Sequence, residues 1–226
     1  MRRRFLSRQL ALPSGWFGRF FMARWLDRAN VQMNALTIEG LALRADDRLL
    51  EVGFGGGYLL AQVLAEGSCG FAAGVDLSCE MVAIGQRRFR AFTDSGKADI
   101  LHGDIEHLPF ADGEFTKLCS VNTLYFWKNP APALAECRRV LKAGGSMVLC
   151  FNAKADLAAW LGGDTTGFVL YELPEVEAML AVAGFGQISV ASGRDPKQGL
   201  FYCVTAVVMD QGDLGGSHHR EQIAAG

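Results

Sequence analysis

Leu49-Leu50-Glu51-Val52-Gly53-Phe54-Gly55-Gly56-Gly57 is the stretch whose reading decides the fold. A short apolar run over 48–52 leads straight into glycines at 53, 55 and 57, and a helical pattern resumes at 58. Glycine there lets the backbone turn sharply and lets a ligand reach main chain without a Cβ in the way. Nucleotide, flavin and nicotinamide proteins all use such a loop, so spacing has to discriminate among them. The dinucleotide fingerprint G-x-G-x-x-G would place its last glycine at Tyr58 counted from Gly53, or at Leu60 counted from Gly55. The glycine that accompanies a pyrophosphate is therefore missing. A phosphate-binding P-loop is excluded as well, because no Gly-Lys-Ser/Thr follows. What remains suits a ligand with a small anionic end, such as an amino-acid carboxylate, received by backbone N–H groups at a helix start.

Downstream, short apolar runs alternate with helical segments. Strands are predicted over 48–52, 70–76, 99–101, 115–121 and 145–151, with helices over 58–65, 78–91 and 130–141. Pro130 fits the first turn of its helix, where a missing N–H costs nothing. This alternation predicts a parallel sheet with helices on both faces. Past Asn152 the rhythm changes. Residues 153–172 read as irregular, a helix is predicted over 174–183, and strands over 187–191 and 200–208 form an antiparallel hairpin about a turn at 192–196. Upstream, Trp16, Phe17, Phe20, Phe21, Trp25 and Leu26 recur at helical spacing between arginines. That pattern predicts one or two helices within 13–43, packed on the main body, with an aromatic lid or a basic membrane-surface face as the alternatives. The expected organisation is a helical cap over 1–43, one domain over 44–209, and a floppy Gly-rich tail over 210–226 whose His218-His219 pair is solvated.

Bulk properties narrow the function classes. With 226 residues, half of them hydrophobic, and a net charge of −2, the chain suits one globular domain and offers no electrostatic case for nucleic acid. No apolar run approaches the ~18 residues of a membrane span. The basic start Met1-Arg2-Arg3-Arg4 is not followed by the apolar core of a signal peptide, so the cytoplasm is the default. Cys69, Cys79, Cys119, Cys137, Cys150 and Cys203 form no CxxC pair; they read as core thiols with no disulfide framework and no metal site.

Two acidic residues extend the site beyond the loop. Asp76 ends the second strand, 21 residues past Gly55, where a carboxylate can accept from both hydroxyls of a ribose. Its competing reading is a helix N-cap, although Ser78 is better placed for that. Gly103-Asp104-Ile105 closes the third strand, where an acid can accept from an exocyclic amine and the next N–H can donate to an aromatic ring. Together with the glycine loop these make a contact set for an adenosine bearing an amino-acid tail.

Glu51-Val52-Gly53-Phe54-Gly55-Gly56-Gly57, Val75-Asp76, Gly103-Asp104 and Arg139-Val140-Leu141-Lys142-Ala143-Gly144-Gly145, in that order, resemble the motifs of class I S-adenosylmethionine-dependent methyltransferases, especially the small bacterial type 11 group. The likeness covers about residues 48–152. It implies an α/β, Rossmann-like, doubly wound sheet of seven strands, mostly parallel with an antiparallel last strand. It would set Gly53, Gly55 and Gly57 beside the methionine part of S-adenosylmethionine, Glu51 near its ammonium, Asp76 and Leu77 at the ribose, and Asp104 and Ile105 at the adenine. Ala143 stands where the family commonly has proline.

Ser120-Val121-Asn122-Thr123-Leu124-Tyr125-Phe126-Trp127 leaves the fourth strand at the methyl-donor end. Asn122 is the candidate polar contact to the sulfonium or the acceptor, and Tyr125 and Trp127 are candidates for the acceptor wall, with plain packing as the alternative. A hydroxyl or carbon acceptor would want a base; His107 is preferred for that over His102. The expected activity is methyl transfer to a small-molecule acceptor by in-line displacement, in a monomer or homodimer, with at most peripheral membrane contact through the N-terminal helices. A nicotinamide-dependent oxidoreductase and a non-catalytic cofactor-binding subunit are the competing readings.

Overall fold

The computed structural model describes residues 30–127 and 129–209. The predicted aromatic segment before residue 30 and the tail from 210 onward lie outside them. Helix α1 (Val31–Leu41) precedes β1 (Arg48–Val52), α2 (Tyr58–Glu66), β2 (Phe71–Asp76), α3 (Cys79–Arg88), α4 (Arg90–Asp94) and β3 (Ala98–His102). Then come β4 (Phe115–Val121), a 3-10 turn (Leu124–Phe126), α5 (Pro130–Val140), β5 (Leu141–Asn152), α6 (Lys154–Trp160), α7 (Leu173–Val182), β6 (Phe185–Asp195) and β7 (Gly199–Val208).

The strands form one seven-stranded sheet in the order β3-β2-β1-β4-β5-β7-β6. Neighbours from β3 through β5 run parallel, and β7 is antiparallel to both β5 and β6. β1 and β2 are buried on both faces, which is why their sequences show no apolar–polar alternation. Two cores follow, one on each face. Met33, Leu41, Leu59, Leu60, Val63 and Met81 pack from α1–α3 on one side. Leu134, Cys137, Val140, Leu157, Val176 and Leu180 pack from α5–α7 on the other. Strand order reverses between β1 and β4, so a crevice opens beyond their carboxyl ends, where open α/β sheets take their ligands.

Four boundaries depart from the sequence expectation. The helix predicted over 78–91 breaks at Phe89, whose ring is 2 % exposed and lies under Gly57; burying it takes the backbone off the helical path. β5 begins at Leu141 instead of 145, with Lys142, Ala143 and Gly144 exposed beside a register shift in β4. The stretch 153–172 holds α6. The hairpin is longer than predicted and turns at 196–198, because Asp195 Oδ1 accepts from the N–H groups of Lys197 (2.8 Å) and Gln198 (2.9 Å). The exposed residues of β6 carry no alternation that sequence could follow; β7 alone pairs with them.

The Phe54 ring, 4 % exposed, fixes the glycine loop to the sheet. It fits because Gly74 on β2 and Gly85 on α3 have no side chain: a Cβ on either would stand 2.9 Å from the ring. Gly74→Val should therefore cost about 1–3 kcal/mol by overpacking, read as a lower urea midpoint at unchanged m.

Candidate functional site

A cleft of about 430 Å³ lies beyond the carboxyl ends of β1, β2 and β4. Its floor is the loop after β1. The Gly53 N–H donates to the Val75 carbonyl (2.7 Å), the Gly55 N–H to Asp76 Oδ2 (2.9 Å), and Arg88 donates to the Gly56 carbonyl (2.5 Å). Gly53 and Gly57 have φ of +74° and +76°, in the left-handed region. A Cβ at Gly53 would also meet Thr123 Cγ2 at 2.4 Å, so the loop rests directly on the chain leaving β4.

Asp76 does two jobs at once. Its carboxylate accepts from Gly55 N–H and, through Oδ1, from Ser78 N–H at 2.8 Å. Ser78 is the N-cap of α3, its Oγ accepting from Met81 N–H at 3.4 Å. Burial pushes the Asp76 carboxyl above the ordinary aspartate range, and the two N–H donors partly offset that. Asp104 sits in an exposed turn whose Oδ1 accepts from Glu106 N–H at 3.1 Å. That turn is pinned by α5: Glu136 accepts from Leu108 N–H (2.8 Å), while Arg139 donates to the carbonyls of Leu108 (3.0 Å) and Phe110 (2.8 Å). The Arg139 guanidinium holds the Glu136 carboxyl below the ordinary glutamate range.

Of the predicted residues, Glu51, Gly53, Gly55, Asp76, Leu77, Asp104, Ile105, Asn122 and Trp127 line this one cleft. Three do not. Gly57 caps α2 and presses on Phe89, where a Cβ would stand 2.7 Å from the ring. The 3-10 turn sends Tyr125 inward, 5 % exposed, and gives Phe126 the place on the wall. His107 is exposed and outside the lining, its backbone N–H bound to the Asp104 carbonyl at 3.0 Å. His102 is also outside the lining; its Nε2 lies 3.1 Å from the Leu77 carbonyl.

Asn122 has φ +58°, which asparagine tolerates better than most residues. Its Nδ2 donates to Asn30 Oδ1 (2.7 Å), and its Oδ1 accepts from the Tyr125 hydroxyl. That hydroxyl also accepts from Asn152 N–H (2.8 Å) and lies 3.2 Å from Asn152 Oδ1. Burial raises the Tyr125 pKa far above its ordinary value, so the phenol stays protonated and acts as a donor. Sequence reading missed Asn30, Asn34, Tyr58, Thr123, Glu106 and Phe126 in the lining. The one available signal was the four-residue spacing of Asn30 and Asn34, which puts them on one helix face.

The residues present fit a nucleoside joined to an amino acid. Glu51, Asp76 and Asp104 can accept from an ammonium, ribose hydroxyls and an exocyclic amine, and Gly53 and Gly55 line the cleft beside them without a side chain in the way. Fold and site together define a Rossmann-like α/β enzyme domain with an adenosine-type cleft. The family profile described as "Methyltransferase domain", type 11, matches residues 50–149. The chain is 28 % identical over 178 residues to the uncharacterized methyltransferase YdaC of Bacillus subtilis, covering 78 % of this chain and 92 % of that one. It is 36 % identical over 120 residues to a ubiquinone/menaquinone biosynthesis C-methyltransferase of Roseobacter denitrificans, 51 % of this chain and 46 % of the relative, so it spans under half of that protein. Among solved structures, the geranyl diphosphate C-methyltransferase of Streptomyces coelicolor, with S-adenosyl-L-homocysteine bound, superposes with a TM-score of 0.68 at 14 % identity, over 88 % of this chain and 87 % of that one. Residues 50–149 thus match a methyltransferase domain, and the relatives and structural neighbours support a class I S-adenosylmethionine-dependent methyltransferase. Among the described residues no helix is long and apolar enough to cross a membrane, and no cluster of metal-ligating side chains occurs.

Two outcomes are expected. Asp76→Ala leaves two N–H groups without their acceptor and should cost about 1–3 kcal/mol in urea unfolding. Glu136 contributes stability above the ordinary glutamate pKa of 4.5 and loses it as pH falls through its lower folded value. Protection of the Leu108 amide from hydrogen exchange should therefore fall in acid, and Glu136→Gln should remove that pH dependence.

Proposed function

We propose that the enzyme methylates a small-molecule acceptor held between the end of β4 and the start of α1. The observation that carries this reading is the division of the cleft. One end presents the carboxylates Glu51, Asp76 and Asp104. The other presents the amides Asn30, Asn34 and Asn122 with the aromatic faces of Phe126 and Trp127. A volume of about 430 Å³ lies within the range of small-ligand pockets.

In this reading Gly53 and Gly55 receive the methionine part, Glu51 its ammonium, Asp76 and Leu77 the ribose, and Asp104 and Ile105 the adenine. Hydroxyl donors would relieve the under-solvated carboxylate of Asp76. S-adenosylmethionine supplies an electrophilic methyl on a sulfonium. The protein's share is alignment, which can account for about 7–11 kcal/mol of a barrier. Asn122, held by Tyr125 from within, orients the acceptor; Phe126 and Trp127 exclude water. His107 lies outside the cleft lining and burial keeps Tyr125 protonated, which favours an acceptor that needs little proton removal, such as a thiol or neutral amine. The relatives named for quinone biosynthesis place quinols on the panel to be tested. We assign the enzyme to the cytoplasm, a reading supported by six cysteines of which none is disulfide-bonded.

The test is calorimetry with S-adenosylmethionine and NAD, followed by S-adenosylhomocysteine release across amines, thiols, hydroxyl compounds and quinols. S-adenosylmethionine should bind and NAD should not, and at least one acceptor class should turn over. Asp76→Ala should weaken S-adenosylmethionine at least tenfold. Asn122→Ala should leave that affinity within a few-fold and lower kcat at least tenfold. Equal losses of both in Asn122→Ala would sink its assignment to the acceptor end.

A further inference from the structure

Cys150 on β5 and Cys203 on β7 stand directly opposite each other in the antiparallel register, and their Sγ atoms are 2.6 Å apart. The Cys150 carbonyl accepts from Asn122 N–H at 2.8 Å, so the polar backbone of Cys150 points toward β4 and away from β7. The two cysteines are therefore a non-hydrogen-bonded pair, the position where antiparallel Cα atoms come closest, at about 4.5 Å. That separation lies inside the window that admits a disulfide. Both residues are 2 % exposed, and α1 is their roof: Thr37 Oγ1 lies 3.6 Å from Cys203 Sγ, and the Met33 carbonyl 3.8 Å from Cys150 Sγ.

We propose that Cys150 and Cys203 are a thiol–disulfide exchange site for low-molecular-weight disulfides, roofed by α1 and closed when a ligand sits in the cleft. The hydrogen bond with Cys150 holds the Cys203 thiol below its ordinary value, while burial pushes Cys150 up, so Cys203 ionises first. Its thiolate attacks one sulfur of the external disulfide, forming a mixed disulfide and expelling one thiolate. Cys150 gives its proton to that leaving group and attacks Cys203 Sγ, closing the Cys150–Cys203 bond and expelling the second thiolate, which takes up the proton that Cys203 gave to solvent. The two cysteines lose two electrons and two protons, and one external disulfide becomes two thiols. The product ties strands 53 residues apart in sequence, fastening the antiparallel end of the sheet to its parallel part. The reagent reaches the sulfurs only when α1 lifts. Since α1 also carries Asn34 into the cleft, a bound ligand that touches it should hold the roof down.

The experiment uses the full chain with Cys69→Ser and Cys79→Ser, which removes the two cysteines that are not buried. Oxidised glutathione is the oxidant, with and without S-adenosylhomocysteine, whose binding is measured calorimetrically in the same samples. Expected are a mass loss of two hydrogens, a mapped Cys150–Cys203 peptide, a Tm raised by about 5 °C or more and reversed by dithiothreitol, and oxidation slowed at least fivefold by the bound ligand. Cys150→Ala should stop at a mixed disulfide on Cys203. A link mapped to Cys119 or Cys137, or an unchanged Tm after oxidation, would overturn the site. The protection arm rests on the cleft reading above. Binding of S-adenosylhomocysteine without slower oxidation would overturn the roof, whereas no binding would fault the cleft reading and leave the disulfide to be judged by its own mapping.

Discussion

The Phe54 ring, seated where Gly74 and Gly85 leave room, is the contact on which the rest of the site depends. It turns the loop after β1 into a fixed part of the sheet, with the side chain inward and the backbone outward. Gly53 and Gly55 can then offer bare main chain to a ligand without becoming loose. The loop's N–H groups in turn reach Val75 and Asp76, so the ends of β1 and β2 are set as one surface. A single aromatic side chain thus converts a flexible composition into a rigid cradle, at the point where strand order reverses.

Around that cradle the cleft separates two chemistries. Carboxylates gather at the ends of β1, β2 and β3, where they can accept from an ammonium or from hydroxyl donors. Neutral amides and aromatic faces gather at the β4 end. The Tyr125 hydroxyl links the second group to the fold's interior, since it bonds both Asn122 at the cleft and Asn152 at the end of β5. A phenol kept protonated by burial is well suited to holding an amide still, and poorly suited to removing a proton.

Much of this was legible in the sequence, and the reasons are local. β1 and β2 announce themselves because strands buried on both faces are largely apolar without alternation, and glycines at 53 and 55 have no cheaper explanation than a turn beside a ligand. Asp76 could be found because a strand end fixes where its carboxylate must be. The misses share a different cause. Gly57, Tyr125 and His107 sit among the right residues in the chain, but one answers to Phe89, one to Asn152 and one to solvent. Those partners lie tens of residues away or outside the protein, so spacing carries no trace of them. Asn30 and Asn34 enter from a helix that the family resemblance does not cover. The extent of β6 was hidden because its length is set by β7, not by its own pattern.

The placement of β7 between β5 and β6 has a consequence for synthesis on the ribosome. Strand β6 emerges first yet has no seat of its own, since its hydrogen bonds go to β7 alone. Until residues 199–208 have left the exit tunnel, β5 keeps an open edge and β6 waits as an unpaired strand nearby. The last pairing closes both gaps at once, so the nascent sheet is most exposed to foreign strands just before it is complete.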